Sequence, residues 1–178
     1  MGIVLLSTSE SVEVVDDADR VLFVAPLEEC KSRGLLHRTV CVFLRNSLGQ
    51  ILLQQRSISD DWLPGKWTVS CSGHVRAGEI PADAADRELR EELGMNERQK
   101  FVFKEFLPPI TWSNKTEFEV AYAFECVSDA KISINRTEVQ QVKFVLPDEI
   151  NAIAKNNPDD FTPDAIILLQ RYLHRGQK

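Results

Sequence analysis

Apolar runs are short throughout the chain. None approaches the ~20 residues that a membrane-spanning helix needs, so no membrane partner is expected. At the amino end, "MGIVLLSTSE" carries no basic segment ahead of its apolar residues 3–6, which argues against a secretory leader. Gly2 fits an N-myristoylation signal only loosely. Cysteine is sparse: Cys30, Cys41, Cys71 and Cys126 are scattered and form no C-x-x-C pair. That argues against a disulfide framework or a zinc knuckle and for free thiols in a reducing, cytoplasmic compartment. There is no block of lysine and arginine, and the net charge is −6, so nucleic acid is disfavoured as a bulk partner. Internal repeats and low-complexity linkers are absent as well. What is present is a chain of 178 residues, 43% hydrophobic and 27% charged, enough for one domain over residues 1–178 with a real core.

Local patterns alternate between strand and helix. "VEVVDDADRVLFVAP" reads as a hairpin around an Asp-rich turn, and "LEECKSRG" as a short helix stopped by Gly34. "TVCVFLRNSLGQILLQQRS" reads as a second hairpin with turn chemistry at residues 46–49. "DDWLPGKW" is a loop and "TVSCSG" a strand. "PADAADRELREEL" predicts a helix with Pro81 in its first turn and Gly94 just past its end. Strands are expected at residues 101–107, 118–127 and 142–146, then helices over "PDEINAIAKNN" and "TPDAIILLQRYLHR", the last capped by Thr162. The mixed order predicts an α+β domain with helices covering a sheet.

One helix raises a physical question. In "PADAADRELREEL", Ala85, Leu89 and Leu93 recur every four residues and form a core stripe, while Glu88, Glu91 and Glu92 share another face. Like charges at i,i+4 repel by a few tenths of a kcal/mol. Carboxylates in a last helical turn also oppose the helix dipole, at roughly 0.3–1 kcal/mol each when exposed. An ordinary solvated face with Arg87 and Arg90 as partners would relieve part of this. A bound divalent cation would relieve it outright, and clustered carboxylates suit Mg²⁺ or Mn²⁺.

These residues carry a specific resemblance. Gly73, Glu79 and "RELREELGM" fit G-x5-E-x7-R-E-U-x-E-E-x-G-U, where U is apolar, at all nine constrained positions: Gly73, Glu79, Arg87, Glu88, Leu89, Glu91, Glu92, Gly94 and Met95. The stretch, residues 73–95, resembles the Nudix box. The resemblance implies a Nudix fold, a mixed β-sheet sandwiched between α-helices, and a metal-dependent reaction on a diphosphate. It implies that Glu88, Glu91 and Glu92 supply the metal ligands and the base, that Gly73 offers a backbone carbonyl to the metal, and that Arg87 and Glu79 hold loop and helix in register. Which glutamate is the base stays open.

A wider resemblance covers most of the chain. "GLLHRTVCVFLRNSLGQILLQQRS", "PGKWTVSCSGH" and "TEFEVAYAF" are similar to the type 1 isopentenyl-diphosphate isomerase branch of the same superfamily. Those isomerases hold a metal with three histidines and two glutamates. By that resemblance His37, His74, Glu117 and Glu119 match four of the five ligands, with Cys30 at the third histidine, and imidazole with carboxylate would suit Zn²⁺ or Mn²⁺. The four side chains are therefore expected to converge within a few ångströms.

The departures point away from isomerase chemistry. The isomerase cysteine before the box is replaced by Ser72, and the adjacent Cys71 should face the other side of its strand. The isomerase tryptophan near the carboxyl-terminal helix aligns with Asp159, and a diphosphate-binding lysine with Asp60, whereas Arg56 is kept. Arg56 and Lys66 are expected phosphate contacts. Ser72 would line the substrate site, and Trp62 or Trp112 could stack on a ring or base. Three readings follow: a hydrolase of a small-molecule diphosphate, nucleoside diphosphate-type or related, acting as monomer or homodimer; an isopentenyl-diphosphate isomerase; and a non-catalytic binding module. The intact box favours the first.

Overall fold

The computed structural model describes residues 10–175; Gly2 and its myristoylation reading lie outside the described residues. The chain opens with an antiparallel hairpin, β1 (Ser11–Val15) and β2 (Val21–Pro26), and a short helix, α1 (Leu27–Arg33). Gly34 ends α1 in the left-handed conformation, φ +61°, a backbone state that glycine adopts without a Cβ clash. The spine is β3 (Leu36–Arg45), buried along nearly its whole length. It pairs in parallel with β9 (Lys115–Val127) from Leu36 opposite Phe118 to Arg45 opposite Val127.

The expected second hairpin is corrected by the structure. β3 and β4 (Ile51–Arg56) are joined by the tight turn at residues 46–49, yet they pair only at Arg45 and Ile51 and then diverge. The stretch read as one strand, "TVSCSG", fills the gap in two pieces. β5 (Trp67–Thr68) pairs with β4, and β6 (Cys71–His74) pairs with β3. Between them Ser70, fully buried, satisfies both edges: its Oγ accepts from Leu44 N at 2.8 Å and donates to Leu52 O at 2.7 Å. One hydroxyl thus replaces the ladder hydrogen bonds that the divergence removes.

α2 (Pro81–Leu93) lies on one face of the sheet, with Ala84, Ala85, Leu89 and Leu93 packed on Val40, Val42, Leu44, Leu52 and Cys71. The opposite face, with Cys41, Phe43, Ile51 and Leu53, packs on Ile150 of α3 (Pro147–Asn156) and on Ala165, Leu168 and Leu169 of α4 (Pro163–Leu173). This is the α+β architecture that the resemblance implied, a mixed sheet between helices. The remaining strands are β7 (Lys100–Phe106), β8 (Ile110–Trp112) and β10 (Val139–Val145), which pair with β9, β9 and β4. β8 is a short strand the sequence pattern did not announce. Thr162 stands at the start of α4 but makes no side-chain cap; its hydroxyl contacts Thr68 at 3.4 Å. No helix among the described residues is long and apolar enough to cross a membrane.

Candidate active site

β6 is a wall between two polar hollows. Side chains alternate along a strand, so Ser72 and His74 face the α4 side while Cys71 and Gly73 face α2. Gly73 lies directly beneath the Glu88 carboxylate: a Cβ at Gly73 would stand only 2.1 Å from Glu88 Oε1. No other residue at 73 would leave Glu88 where it is.

On the α2 side lies a cleft of about 310 Å³ that holds Glu88, Glu91, Glu92, Arg87, Arg56 and Gln54. Arg87 organises it. Its Nε and Nη2 reach the two oxygens of Glu79 at 2.9 and 3.0 Å, and Nη2 also donates to the His74 carbonyl at 2.9 Å. Its Nη1 pairs with Glu88 and reaches Glu91 at 3.3 Å. One guanidinium therefore ties the loop before α2, strand β6 and the helix together. Glu79 also accepts from Arg76 N at 3.0 Å. Burial, only partly offset by Arg87, pushes the Glu88 carboxyl up to about 7. Burial and the neighbouring Glu88 push Glu92 well above the carboxylate range. Both are 6% exposed, whereas Glu91 is open to solvent. Two buried carboxyls side by side, braced by one arginine, form a site in which a further cation would favour the ionised form of both.

On the α4 side is a smaller cavity of about 90 Å³, lined among others by Ser72, His74, Glu117, Glu119, Asp164 and Trp62. At its edge His37, His74, Glu117 and Glu119 converge, each offering a ligand atom within 4.8 Å of the others. Glu117 Oε2 lies 3.3 Å from His37 Nε2 and 3.6 Å from His74 Nε2, but none of these three buried atoms makes a well-aligned hydrogen bond among the described residues. His37 Nδ1 donates to the Leu35 carbonyl at 2.8 Å, which turns Nε2 toward the cluster. Orphaned imidazole nitrogens facing a carboxylate fit a transition-metal ligand set.

The fifth position is not Cys30. Cys30 is buried among Val12, Val14, Ala25 and Leu27. Its neighbour Lys31 turns inward instead, 7% exposed, with Nζ 2.8 Å from Glu117 Oε1. Burial raises the Glu117 carboxyl, but the two imidazoles and Lys31 outweigh it and hold the group far below the usual range. Burial and the charge on Glu117 drive Glu119 the other way.

The NUDIX domain family matches residues 35–165 of the sequence. The chain belongs to the Nudix family. It is 35% identical over 172 residues to a protein of Pseudomonas aeruginosa named an uncharacterized Nudix hydrolase, covering 94% of this chain and 95% of the relative. It is also 32% identical over 157 residues to isopentenyl-diphosphate delta-isomerase 2 of Photorhabdus laumondii, covering 86% of each. Among solved structures, a Deinococcus radiodurans protein superposes with a TM-score of 0.74 at 24% identity, over 91% of this chain and 98% of that one.

Within this Nudix chain, the remaining expected residues sort by place. Arg56 lines both hollows, but it is already engaged, donating to the Trp62 carbonyl at 2.8 Å and to Asp60 at 2.6 Å. Ser72 lines both as well. Lys66 lines neither; its ammonium sits on the Asp159 carbonyl. Trp112 is 40% exposed and lines neither, and Trp62 is the tryptophan that enters the cavity. Asp159 belongs to a single 3-10 turn, Pro158–Asp160, away from the cavity. The acid that reaches it is Asp164, in the first turn of α4. Lys31, Gln54, Glu138 and Asp164 escaped the sequence reading because each lies far along the chain from the box. Only the inward alternation of β4 and the amphipathic phase of α1 and α4 could have flagged three of them.

Proposed function

We propose that this chain is a hydrolase that cleaves a diphosphate linkage in a small molecule with Mg²⁺ or Mn²⁺ held by Glu88, Glu91, Glu92 and the Gly73 carbonyl. The observation that carries the reading is the buried Glu88–Glu92 pair, pushed toward neutrality and resting on a glycine that leaves it room. Both oxygens of each carboxylate become available once a cation compensates their burial. A bound divalent ion supplies an acidified water and charge neutralisation for the diphosphate. The chain's own residues do the rest. Arg87 fixes the position of Glu88 through Glu79. Arg56 and Arg76, both lining the cleft, meet the phosphate oxygens. A box carboxylate receives the proton of the attacking water as the P–O bond to the leaving phosphate breaks. The His37, His74, Glu117 and Glu119 cluster is a second site for Zn²⁺ or Mn²⁺, across the β6 wall.

A second reading, isopentenyl-diphosphate isomerisation, is favoured by that cluster and by the 32% identical relative. The serine at position 72 weighs against it. The test is a panel of nucleoside diphosphate derivatives, coenzyme A and isoprenoid diphosphates with Mg²⁺ or Mn²⁺. Metal-dependent release of a monophosphate, lost in Glu92→Gln, is expected; no turnover of any member with either metal overturns the reading.

A further inference from the structure

β4 places an amide where its pattern calls for a hydrocarbon. Leu52, two residues earlier on the same face, is fully buried beneath α2. Gln54 is next on that face and only 2% exposed, between Thr68 on β5 and Val142 on β10 in register. Its side chain enters the box cleft rather than the core. It shares that cleft with the Glu92 carboxylate, the second buried acid of the box. Gln54 Oε1, however, has no hydrogen-bond partner among the described residues. A buried acceptor left unpaired is destabilising, and leucine or methionine would fill the same space without that cost. An amide kept here at such a cost has a partner that arrives with the cation.

We propose that Gln54 is a positioning residue of the box cation site: its amide N–H fixes the Glu92 carboxylate, and its unpartnered Oε1 accepts a hydrogen bond from the hydration shell that a divalent ion brings into the cleft. Mg²⁺ and Mn²⁺ keep several waters when held by few carboxylates, and those waters need acceptors on the protein side. Backing groups of this kind orient ligands, and their removal typically lowers metal affinity by about 10–100-fold. The inference rests on the proposed box metal site, and its test separates the two. Mn²⁺ binding is measured by EPR on the substrate-free protein for wild type, Gln54→Met and Gln54→Asn. Methionine keeps length and packing but loses the amide's donor and acceptor; asparagine keeps the amide but withdraws it by one methylene. Both are expected to weaken Mn²⁺ binding about 10–100-fold, with the Met variant melting as the metal-free wild type does. Should Gln54→Met fail to fold, Gln54→Asn decides alone. Wild-type affinity in a folded variant overturns the role of Gln54 while leaving the box site standing. Absence of Mn²⁺ binding by the wild type removes both.

Discussion

The two hollows on either side of β6 solve the same problem in opposite ways. Each gathers buried carboxylates, and burial alone makes every one of them costly. In the His–Glu cluster the chain brings its own cation: Lys31 Nζ stands 2.8 Å from Glu117, and two imidazoles face the same carboxylate. Glu117 stays ionised there without any visitor. In the box cleft the internal cation is Arg87, but it is shared among Glu79, Glu88 and Glu91 and does not reach Glu92. Glu88 and Glu92 are therefore left wanting charge. The lesson is that demand for a cation is read from what a carboxylate lacks, not from how many carboxylates are near. By that measure the box is the hollow with the greater demand for a further cation, while the cluster offers imidazole nitrogens beside a carboxylate already compensated by Lys31.

The largest effect that could break this comparison is at Glu92. Glu92→Gln removes a box carboxylate with little change in volume, and diphosphate hydrolysis is expected to fall by about 10²–10⁴-fold. A smaller effect is expected across the wall. His37→Asn removes an orphaned nitrogen, and Zn²⁺ or Mn²⁺ binding at the cluster, followed by calorimetry, is expected to weaken by about 10–100-fold or more. Hydrolysis should fall less than in Glu92→Gln. If His37→Asn proves the more damaging of the two for hydrolysis, the cluster carries the chemistry and the roles assigned to the two hollows are reversed.

How far the sequence reaches can be seen at single residues. The box helix is legible to its ends because Pro81, the Ala85–Leu89–Leu93 stripe and Gly94 are local signals, and the structure runs it over Pro81–Leu93 with Gly94 at φ +63°. The convergence of His37, His74, Glu117 and Glu119 followed from family likeness, not from spacing, since parallel β3–β9 pairing sets His37 beside Glu119 across 82 positions of chain. What stayed illegible was register-dependent. Cys30 and Lys31 are neighbours in sequence, yet on α1 they point about 100° apart, so which one meets Glu117 is decided by how the helix packs. Asp159 and Asp164 differ in the same way: one lies in a turn, the other on the first turn of α4. The β3–β4 hairpin misled because a perfect turn says nothing about whether its strands stay together.

A third effect concerns the metal-free protein. Glu88 is raised to about 7, so its neutral form is favoured by the folded state. Such a group leaves stability intact below its unfolded value near 4.5, and stability is lost as pH rises through about 7. The loss is bounded at about 3 kcal/mol. His74, pushed down by burial, works the other way, adding stability as pH rises through its ordinary range. The difference between wild type and Glu88→Gln isolates the first contribution. With chelator present, melting temperatures at pH 5 and pH 8 should drop further in the wild type than in the variant. Saturating Mn²⁺ should recover the wild type at pH 8 and have little to recover at pH 5. A wild type whose chelated melting temperature tracks that of Glu88→Gln at both pH values would show that Glu88 carries no buried charge to compensate.

The smallest expected effect is a null result that decides between the two enzymatic readings. Isomerising isopentenyl diphosphate needs a proton donor and an acceptor on opposite faces of a carbon skeleton, in a dry pocket. The cavity by α4 offers Glu119 and Asp164 as acids, but the position before Gly73 holds a hydroxyl, Ser72, far weaker as an acid than a thiol. Cys71 cannot stand in for it, being buried against α2 on the other face of β6. The thiol that does line the cavity is Cys41, opposite Ser72 in the β3–β6 ladder, and burial holds it far above its ordinary range. Trp62 brings an aromatic face, but that face lies 5.9 Å from the Lys31 ammonium, so it already serves a cation. No dimethylallyl diphosphate and no deuterium uptake are therefore expected on incubation with isopentenyl diphosphate in D₂O with Mg²⁺ or Mn²⁺. Product at an enzymatic rate, lost in Ser72→Ala or in Cys41→Ala, would make the cavity rather than the box the seat of catalysis, and would identify which of the two side chains moves the proton.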